Sequence, residues 1–262
     1  MNDFLSRKAD QVERRELTDE QLLRYSRQIM LPNIDVVGQE KILNSSVLIV
    51  GLGGLGSPVA MYMASAGVGR LILVDHDEVE LSNLQRQIIH SIDTVGESKV
   101  LSAKTRIAQL NPDCDVITHQ VKLTDDNVES LVQGVDVVID CSDNFTSRFA
   151  LNRACVQRKV PLVSGAAIRM EGQLTVFDAR RAGSPCYRCL YDDSESEDLS
   201  CATNGVLAPV VGVVGSIQAL EALKLIAGCG ESVVGKLMIF DMASMDWRTM
   251  KLKKDAACPV CG

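Results

Sequence analysis

The segment at residues 47–75 constrains the fold of this chain more than any other. An apolar run rich in β-branched residues at 47–50 leads into a turn that contains Gly51, Gly53 and Gly56. A stretch of small residues follows, and a second apolar run then ends in an aspartate. This order predicts a strand, a glycine-rich turn, a helix and a second strand, which is the arrangement of nucleotide-binding α/β proteins.

Each glycine of the turn has a physical role in this interpretation. Gly51 permits the tight turn, Gly53 and Gly54 let the backbone approach a phosphate, and Gly56 lets the helix pack closely on the strand. Asp75 lies where a carboxylate can bind a ribose hydroxyl. The motif therefore predicts nucleotide binding. Taken alone it favours a dinucleotide dehydrogenase, so the rest of the chain must distinguish NAD from ATP.

Composition places the chain among soluble proteins with a single α/β domain. It has 262 residues, of which 46% are hydrophobic and 23% are charged. A net charge of -7, without a long basic stretch, argues against nonspecific nucleic-acid binding. The N-terminus has no apolar core of a signal peptide, so we expect a cytoplasmic protein. Two uncharged stretches, 47–69 and 199–220, are broken by glycine and proline and are interpreted as core segments rather than membrane spans.

The remaining chain alternates between strand and helix patterns. Residues 1–15 are expected to be a flexible extension, and residues 16–262 to form one domain that begins with a helix capped by Thr18. A loop followed by a long helix is expected within 199–228, with Gln218, Glu221 and Lys224 on its polar side. Further strands are predicted at 116–120, 135–140 and 161–164, further helices at 36–43, 99–110, 127–133 and 145–158, and antiparallel strands at 172–178 and 236–241. The fold class is therefore α/β: a Rossmann-like, doubly wound, mostly parallel sheet that antiparallel strands extend in the C-terminal half.

Polar side chains recur where the predicted parallel strands end. Because open parallel sheets bind ligands at the carboxyl ends of their strands, these side chains are expected to share one site. Two cations and a carboxylate near a phosphate-binding turn indicate a triphosphate with Mg²⁺ rather than a nicotinamide cofactor. The residues are Asn83, Gln85, Arg86, Lys99, Asp143 and Asn144.

Two Cys-x-x-Cys pairs form a second candidate site. Cys186 and Cys189 make one pair, and Cys258 and Cys261 make the other. Four thiolates complete a tetrahedral shell for structural Zn²⁺, with no position left open for catalysis. The long separation between the pairs exceeds that of a compact zinc ribbon, so redox-active pairs or buried thiols remain alternatives.

The other five cysteines fall into two groups. Cys114, Cys141, Cys155 and Cys229 lie in or beside apolar segments and are interpreted as small buried hydrophobes. Cys201 follows an acidic, polar stretch at 191–198, which we interpret as a surface loop. An accessible thiol there could act as a nucleophile, although no histidine lies near it in sequence.

Several motifs together resemble the MoeB/ThiF/HesA family, the bacterial relatives of ubiquitin-activating enzymes. The resemblance covers about residues 16–262, and RMEGQ and MKL are most similar to MoeB-type molybdopterin-synthase adenylyltransferases. PVVGVVG and CPVCG are also similar to ThiF, which acts in thiamine biosynthesis. The other motifs that carry the resemblance are RYSRQI, GLGGLG, ASAGVG, SNLQRQ, DCSDN, SGAAIRMEGQ and PCYRCL.

The resemblance implies an activity, cofactors and partners. The family adenylates the C-terminal Gly-Gly carboxylate of a small ubiquitin-like sulfur carrier with ATP, which releases pyrophosphate before a thiocarboxylate forms. It implies Mg²⁺, structural Zn²⁺ at the four cysteines, a separate sulfur donor and a homodimer in which Arg27 reaches ATP across the interface. Cys201 matches a position whose role differs within the family. The implied ATP-binding residues are Gly53, Gly54, Asp75, Ser82, Asn83, Leu84, Gln85, Arg86, Lys99, Asp143 and Asn144.

Three alternatives remain beside this interpretation. The carrier could belong to the thiamine pathway or be another Gly-Gly protein. An NAD(P)-dependent oxidoreductase is supported by the glycine turn alone. A noncatalytic, zinc-stabilised partner, like the inactive half of a heterodimeric activating enzyme, is the third, and the presence of Arg86, Lys99 and Asp143 argues against it.

Overall fold

The computed structural model describes residues 14–192 and 204–262. Within these ranges the helices are α1 (Asp19–Arg24), α2 (Ser26–Ile29), α3 (Asp35–Leu43), α4 (Gly56–Ser65), α5 (Lys99–Leu110), α6 (Asp125–Val132), α7 (Phe145–Arg158), α8 (Tyr187–Leu190) and α9 (Ala208–Ala227). The strands are β1 (Ser46–Val50), β2 (Arg70–Val74), β3 (Asp115–His119), β4 (Val137–Asp140), β5 (Leu162–Ile168), β6 (Glu171–Phe177), β7 (Lys236–Asp241) and β8 (Asp246–Lys251).

One eight-stranded sheet organises the chain, in the order β3-β2-β1-β4-β5-β6-β7-β8. The first five strands in this order are parallel, and each later pairing is antiparallel. The predicted mixed sheet is therefore confirmed. The strand order reverses direction between β1 and β4, which is the switch point where open α/β sheets bind their ligands.

Helices cover both faces of the sheet because the buried strands are apolar on both sides. Val47 and Ile49 of β1 point into a core shared with α4, α5 and α9. Leu48 and Val50 of the same strand point into a second core shared with α6 and α7. Successive side chains of a strand alternate between faces, so a continuous apolar run fills both layers.

Local chemistry fixes several of the predicted helix ends. The Thr18 hydroxyl accepts from the Gln21 N–H, and the Gln21 side chain accepts from the Thr18 N–H, which is the predicted capping box. Helix α5 ends before Asn111, whose side-chain amide donates to the Tyr25 hydroxyl and the Ala64 carbonyl. That residue thus links three elements instead of continuing the helix.

The long helix α9 is long and apolar enough to span a membrane by length and composition alone. It packs against β4, β5, β6, α3 and α4. The expected polar side is wrong in one respect, because Gln218 and Glu221 are buried. Gln218 donates to the Asp140 carbonyl at 2.7 Å, and Glu221 accepts from the Val233 N–H and pairs with Lys224. Both side chains form hydrogen bonds with backbone groups of the core, and these bonds compensate for the cost of burying them.

Some details of the fold go beyond the sequence prediction or differ from it. Strand β8 was not predicted, because it is an edge strand with mostly exposed side chains and no apolar alternation. Strand β5 extends to Ile168, beyond the predicted 161–164, because it pairs with β6 along its whole length. At the N-terminus, residues 1–13 lie outside the described ranges. Arg15, assigned to the flexible extension, donates to the Asn44 side chain and the Leu43 carbonyl.

Candidate functional site

A cavity of about 390 Å³ opens at the carboxyl ends of the parallel strands, and we call it the strand-edge pocket. It lies at the switch point between β1 and β4. Its lining combines the glycine turn with residues that follow β2, β3 and β4 and with residues of β5 and β6 themselves. The predicted site residues that line it are Gly53, Gly54, Asp75, Arg86, Lys99, Asp143 and Asn144.

The glycine turn has the close approaches that its sequence predicts. Gly51 has a φ of 90°, and a Cβ there would lie 2.6 Å from the Cys141 carbonyl oxygen. A Cβ on Gly56 would lie 1.9 Å from the Gly51 carbonyl oxygen. Side chains at these two positions would separate β1 from β4 or unwind the start of α4.

Asp75 is fixed by the backbone around it. One carboxylate oxygen accepts from the Leu52 N–H at 2.7 Å, and the other accepts from the Asp77 N–H at 2.9 Å. The carboxylate is largely buried but lines the pocket. Because each carboxylate oxygen can accept more than one hydrogen bond, Asp75 can both hold the turn and bind a ligand hydroxyl.

Lys99 enters the pocket with its charge compensated by Asp77. The Lys99 ammonium lies 2.9 Å from an Asp77 carboxylate oxygen, and the lysine side chain is only 7% exposed. Burial alone would raise the pKa of the Asp77 carboxyl, but the hydrogen bond and charge of Lys99 lower it below its usual value. Asp77 therefore stays ionised and fixes the cation at the pocket wall.

The SNLQRQ stretch is only partly brought into the pocket. Arg86 lines the cavity, and its guanidinium donates to the Ser82 carbonyl. Asn83 is buried and accepts from the Glu80 N–H, so it shapes a short 3₁₀ turn. Ser82, Asn83 and Leu84 belong to this turn or cap it, Gln85 follows it, and none of the four is among the lining residues of the described chain. Sequence reasoning missed Gln87, which is buried, lines the pocket and has a side-chain oxygen without a partner in the described chain.

The carboxyl end of β4 is built around a buried ion pair that sequence reasoning also missed. Asp140 is fully buried, accepts from the Ser142 hydroxyl at 2.6 Å and the Ser164 hydroxyl at 3.0 Å, and faces Arg148 at 3.9 Å. Arg148 in turn donates to the Ser142 carbonyl at 2.8 Å. Burial would lower the pKa of Arg148, but the facing Asp140 carboxylate raises it. The ion pair thus fixes the backbone that leads to Asp143.

Asp143 and Asn144 differ in how they are held. Asp143 is exposed at the pocket mouth. The Asn144 side-chain oxygen accepts from the Ser147 N–H at 2.9 Å and so caps helix α7. Asn144 is therefore a helix cap whose position beside Asp143 also puts it on the pocket wall.

Small residues form part of the pocket wall. Ala166 and Ala167 of β5 and Gly172 of β6 line it from the sheet. Val206 and Val211 line it from the segment that begins α9, and Val211 lies close to Gly54 of the glycine turn.

Arg27 and Cys201 lie apart from the pocket lining. Arg27 is exposed on α2 and does not line the pocket of its own chain. Cys201, with most of the acidic stretch at 191–198, lies outside the described residues. Of the other thiols, Cys114, Cys141 and Cys155 are buried as expected, whereas Cys229 is half-buried. Burial raises the pKa of the Cys114 thiol to about 12.

The two Cys-x-x-Cys pairs meet in one cluster, which we call the cysteine cluster. Its four sulfurs all lie within 4.8 Å of one another. The Cys186 and Cys258 sulfurs are 3.7 Å apart, and those of Cys189 and Cys261 are 3.5 Å apart. A tetrahedral site with Zn–S bonds of about 2.3 Å separates its sulfurs by about 3.8 Å. The donor set and its spacing therefore fit Zn²⁺, and all four thiols are free.

Amide donors surround this cluster. The Asn152 side chain on α7 donates to the Cys186 sulfur at 3.5 Å, and the Asp255 N–H donates to the Cys189 sulfur at 3.5 Å. Asn152 also accepts from the Tyr187 N–H at 2.8 Å. Hydrogen bonds of this kind orient ligand atoms and favour their charged form.

The fold and the pocket define a Rossmann-like α/β protein with its binding site at the sheet's switch point. The ThiF family matches residues 25–260, and the chain belongs to this family. This result confirms the resemblance found in the sequence. It also removes the support for the oxidoreductase alternative, which depended on the glycine turn alone.

Named relatives match 94% of this chain. The molybdopterin-synthase adenylyltransferase of Salmonella typhimurium is 49% identical over 94% of this chain and 99% of its own length. The sulfur carrier protein ThiS adenylyltransferase of Escherichia coli is 46% identical over 94% of this chain and 97% of its own length. The adenylyltransferase and sulfurtransferase MOCS3 of Drosophila yakuba is 48% identical over 94% of this chain but only 54% of its own length.

Solved structures share the fold. The chain resembles E. coli MccB, determined with MccA-N7isoASN, with a TM-score of 0.81 at 23% identity over 92% of this chain and 74% of that one. It resembles PaaA with a TM-score of 0.80 at 25% identity over 95% of this chain and 78% of that one. The first likeness is evidence for the fold alone.

Proposed function

We propose that the chain adenylates the C-terminal carboxylate of a small ubiquitin-like sulfur carrier with ATP, in the biosynthesis of the molybdenum cofactor. One observation carries the proposal: a single cavity combines the glycine turn and two cations with small residues of β5 and β6. A triphosphate would bind at the glycine turn and the cations, and a Gly-Gly tail would lie along the small residues. The names of the full-length relatives support this activity and this carrier.

The chemistry needs alignment more than acid–base catalysis. A carboxylate is already ionised at neutral pH, so it can attack the α-phosphorus without a general base. A carboxylate oxygen forms the new P–O bond, the bond to the β-phosphate oxygen breaks, and pyrophosphate leaves with that electron pair. A separate donor of sulfide-level sulfur then forms the C–S bond of a thiocarboxylate, and AMP leaves as the acyl C–O bond breaks. The enzyme's contribution is to hold both reactants in line and to neutralise the phosphates.

The pocket residues suit these tasks. The backbone of Gly53 and Gly54 would bind phosphate oxygens at the start of α4, and Asp75 would bind a ribose hydroxyl. Arg86 and Lys99 supply positive charge next to the leaving pyrophosphate. Ser82, Asn83, Leu84 and Gln85, in the short 3₁₀ turn and directly after it, would present Arg86 to the nucleotide.

Two metal sites belong to the proposal. Asp143 and Asn144 would hold Mg²⁺, which supplies charge neutralisation on the triphosphate when bound. The four thiols of the cysteine cluster would hold a structural Zn²⁺. Because four thiolates leave no open coordination position, this metal would be structural, and the reaction would take place in the strand-edge pocket.

A homodimer would complete the site. Arg27 is exposed on α2, so it could supply a cation to the pocket of a second copy. Exposed apolar side chains surround it, including Leu23 at 77% and Met30 at 71% exposure. A surface of this kind is typical of a protein interface. The expected cytoplasmic location agrees with this chemistry and stays a prediction. A covalent role for Cys201 also stays a prediction.

Carrier-dependent exchange of labelled pyrophosphate into ATP tests the proposal. We expect exchange with the small subunit of molybdopterin synthase, and at least tenfold less with the thiamine-pathway carrier. The reverse ratio would favour the ThiS-type alternative, which a relative at 46% identity supports. No exchange with any Gly-Gly carrier would refute adenylation and favour a noncatalytic partner.

A matched pair of variants tests the site within the same assay. Asp143→Ala should reduce exchange by at least about a hundredfold, since it removes the carboxylate that would hold Mg²⁺ on the triphosphate. Asp126→Ala, at an exposed acid in α6, should leave exchange unchanged. Equal activity of the two variants would remove Asp143 from the mechanism.

A further inference from the structure

His90 is the one buried histidine of the described residues, and the adenylation chemistry gives it no role. Its Nε2 atom lies 3.0 Å from the Leu52 carbonyl oxygen, and its Nδ1 atom lies 2.8 Å from the Ser102 hydroxyl. Leu52 is fully buried between two glycines of the nucleotide turn. His90 therefore contacts the backbone of the turn from the side away from the pocket.

The hydrogen bonds fix the state of the ring. A carbonyl oxygen only accepts, so the Nε2 atom must carry a proton. Burial lowers the pKa of His90 below its usual value, which favours the neutral ring at neutral pH. The Nδ1 atom of a neutral Nε2–H ring is an acceptor, and it lies 2.8 Å from the Ser102 hydroxyl, which also contacts the Thr94 hydroxyl at 3.0 Å. The Leu52 carbonyl thus selects the Nε2–H tautomer.

Because the peptide unit is planar, the contact between His90 and the Leu52 carbonyl also fixes the orientation of the next N–H, which faces the pocket. The Leu52 carbonyl and the Gly53 N–H belong to one trans peptide unit, so they point in opposite directions. Holding the carbonyl towards His90 turns the Gly53 N–H towards the cavity that Gly53 lines. Within the described chain this N–H has no protein acceptor.

The neighbouring peptide unit is held as well. The Leu52 N–H donates to the Asp75 carboxylate at 2.7 Å, so both polar groups of Leu52 have charged or ring partners. The turn therefore has little freedom to rotate either of its peptide planes.

We propose that His90 is a positioning residue that fixes the peptide plane of the nucleotide turn and aims the Gly53 N–H at a phosphate of ATP. The inference rests on the proposed function, since it assumes that the pocket binds a nucleotide. It adds to that function a hydrogen-bond donor, the Gly53 N–H, that is oriented before ATP binds by the side chain of His90, which lies outside the pocket.

Calorimetric binding of a nonhydrolysable ATP analogue tests the proposal with two variants. His90→Phe fills the space without a donor, and we expect about tenfold weaker binding, which equals the net value of about one hydrogen bond. His90→Gln places an amide donor near the Nε2 position, and we expect it to restore binding to within about threefold of the wild type. In carrier-dependent exchange, His90→Phe should raise the KM for ATP more than it lowers kcat.

The outcomes separate this proposal from the proposed function and from a purely structural role. Failure of the wild type to bind the analogue would refute nucleotide binding itself. Wild-type affinity in His90→Phe would overturn the role of His90, and so would equal losses in the Phe and Gln variants. If His90→Phe does not fold, ¹⁵N NMR of the wild type decides: an Nε2–H tautomer supports the proposal, and an Nδ1–H tautomer overturns it.

Discussion

The strand-edge pocket and the cysteine cluster are stabilised in opposite ways. Around the pocket, buried charged groups already have protein partners: Asp140 has Ser142 and Ser164, and Lys99 has Asp77. In the cysteine cluster, four sulfurs converge, and the described residues around them offer amide donors. We therefore expect the pocket to hold its shape without a ligand and the cluster to depend on the Zn²⁺ proposed there.

The two regions also differ in how the chain builds them. The pocket collects residues from successive strand ends, so the topology of a parallel sheet brings them together. The cluster joins the segment at α8 to residues 255–262, which follow the last strand, β8, and lie outside the sheet. Helix α7 connects the two: Asn144 caps its first turn at the pocket, and Asn152 contacts Cys186 further along.

The largest expected effect comes from breaking the cysteine cluster. Cys186→Ser should lose Zn²⁺ and lower the free energy of unfolding by about 4 kcal/mol or more, because metal binding is coupled to folding. Cys229→Ser, at a half-buried thiol outside the cluster, should keep the metal. Metal analysis and urea unfolding measure both. A stable, metal-free wild type would contradict the dependence on an ion.

A chelator applies the same test without a mutation. Metal removal should increase hydrogen exchange in α8 and at residues 255–262, while the strands β1 and β4 remain protected. Equal loss of protection in both regions would show that the pocket is not self-supporting.

The second prediction removes the buried charge below the pocket. Asp140→Asn leaves Arg148 buried without its counter-charge and should cost about 3–5 kcal/mol. Asp115→Asn is the matched control, because Asp115 pairs with Arg70 where both side chains are about half exposed. It should cost at most about 1 kcal/mol. Chemical denaturation of the two variants measures the difference, and similar values would mean that the buried pair is not a support of the site.

A third prediction tests the close approach of the two strand-end loops. Gly51→Ala places a Cβ 2.6 Å from the Cys141 carbonyl oxygen at a φ of 90° and should cost about 3 kcal/mol. Gly96→Ala has a similar φ of 87° with nothing within 4 Å, so it isolates the backbone strain. That strain should cost about 1–2 kcal/mol. If urea unfolding gives equal losses, the packing of β1 against β4 does not require glycine.

Sequence reasoning found the parts of the molecule that local patterns specify. The bounds of α5 and α7 are those predicted, because caps and proline mark their ends. The polar residues of the pocket were found because they follow apolar strands. Both cysteine pairs were found by their spacing, but only the structure shows that the two pairs meet.

The missed residues act through tertiary contacts that no local pattern contains. Gln218 appears in sequence as the polar side of a helix, yet it bonds to the backbone of β4 from a distant part of the chain. Arg148 and Gln87 have no distinctive spacing, and their burial beside the pocket follows from helix and loop packing. Strand β8 lacks apolar alternation because only one of its edges is paired.

The smallest expected effect tests whether the two regions are separable. Asn152→Ala removes the bonds to the Tyr187 N–H and the Cys186 sulfur, and should cost about 2 kcal/mol. Zinc affinity should fall about tenfold, since the donor to a ligand sulfur is lost. Asn127→Ala also loses two hydrogen bonds, but at an exposed site on α6, and should leave zinc affinity unchanged.

Binding of the ATP analogue by Asn152→Ala then decides how independent the pocket is. Because Asn144, Asp140 and Arg148 hold the first turn of α7 through their own contacts, we expect affinity within about twofold of the wild type. A parallel loss of zinc and nucleotide affinity would mean that α7 transmits the state of the cluster to the pocket. The contacts of Asn144, Asp140 and Arg148 would then not be enough to hold the pocket, and the metal would also stabilise the nucleotide site.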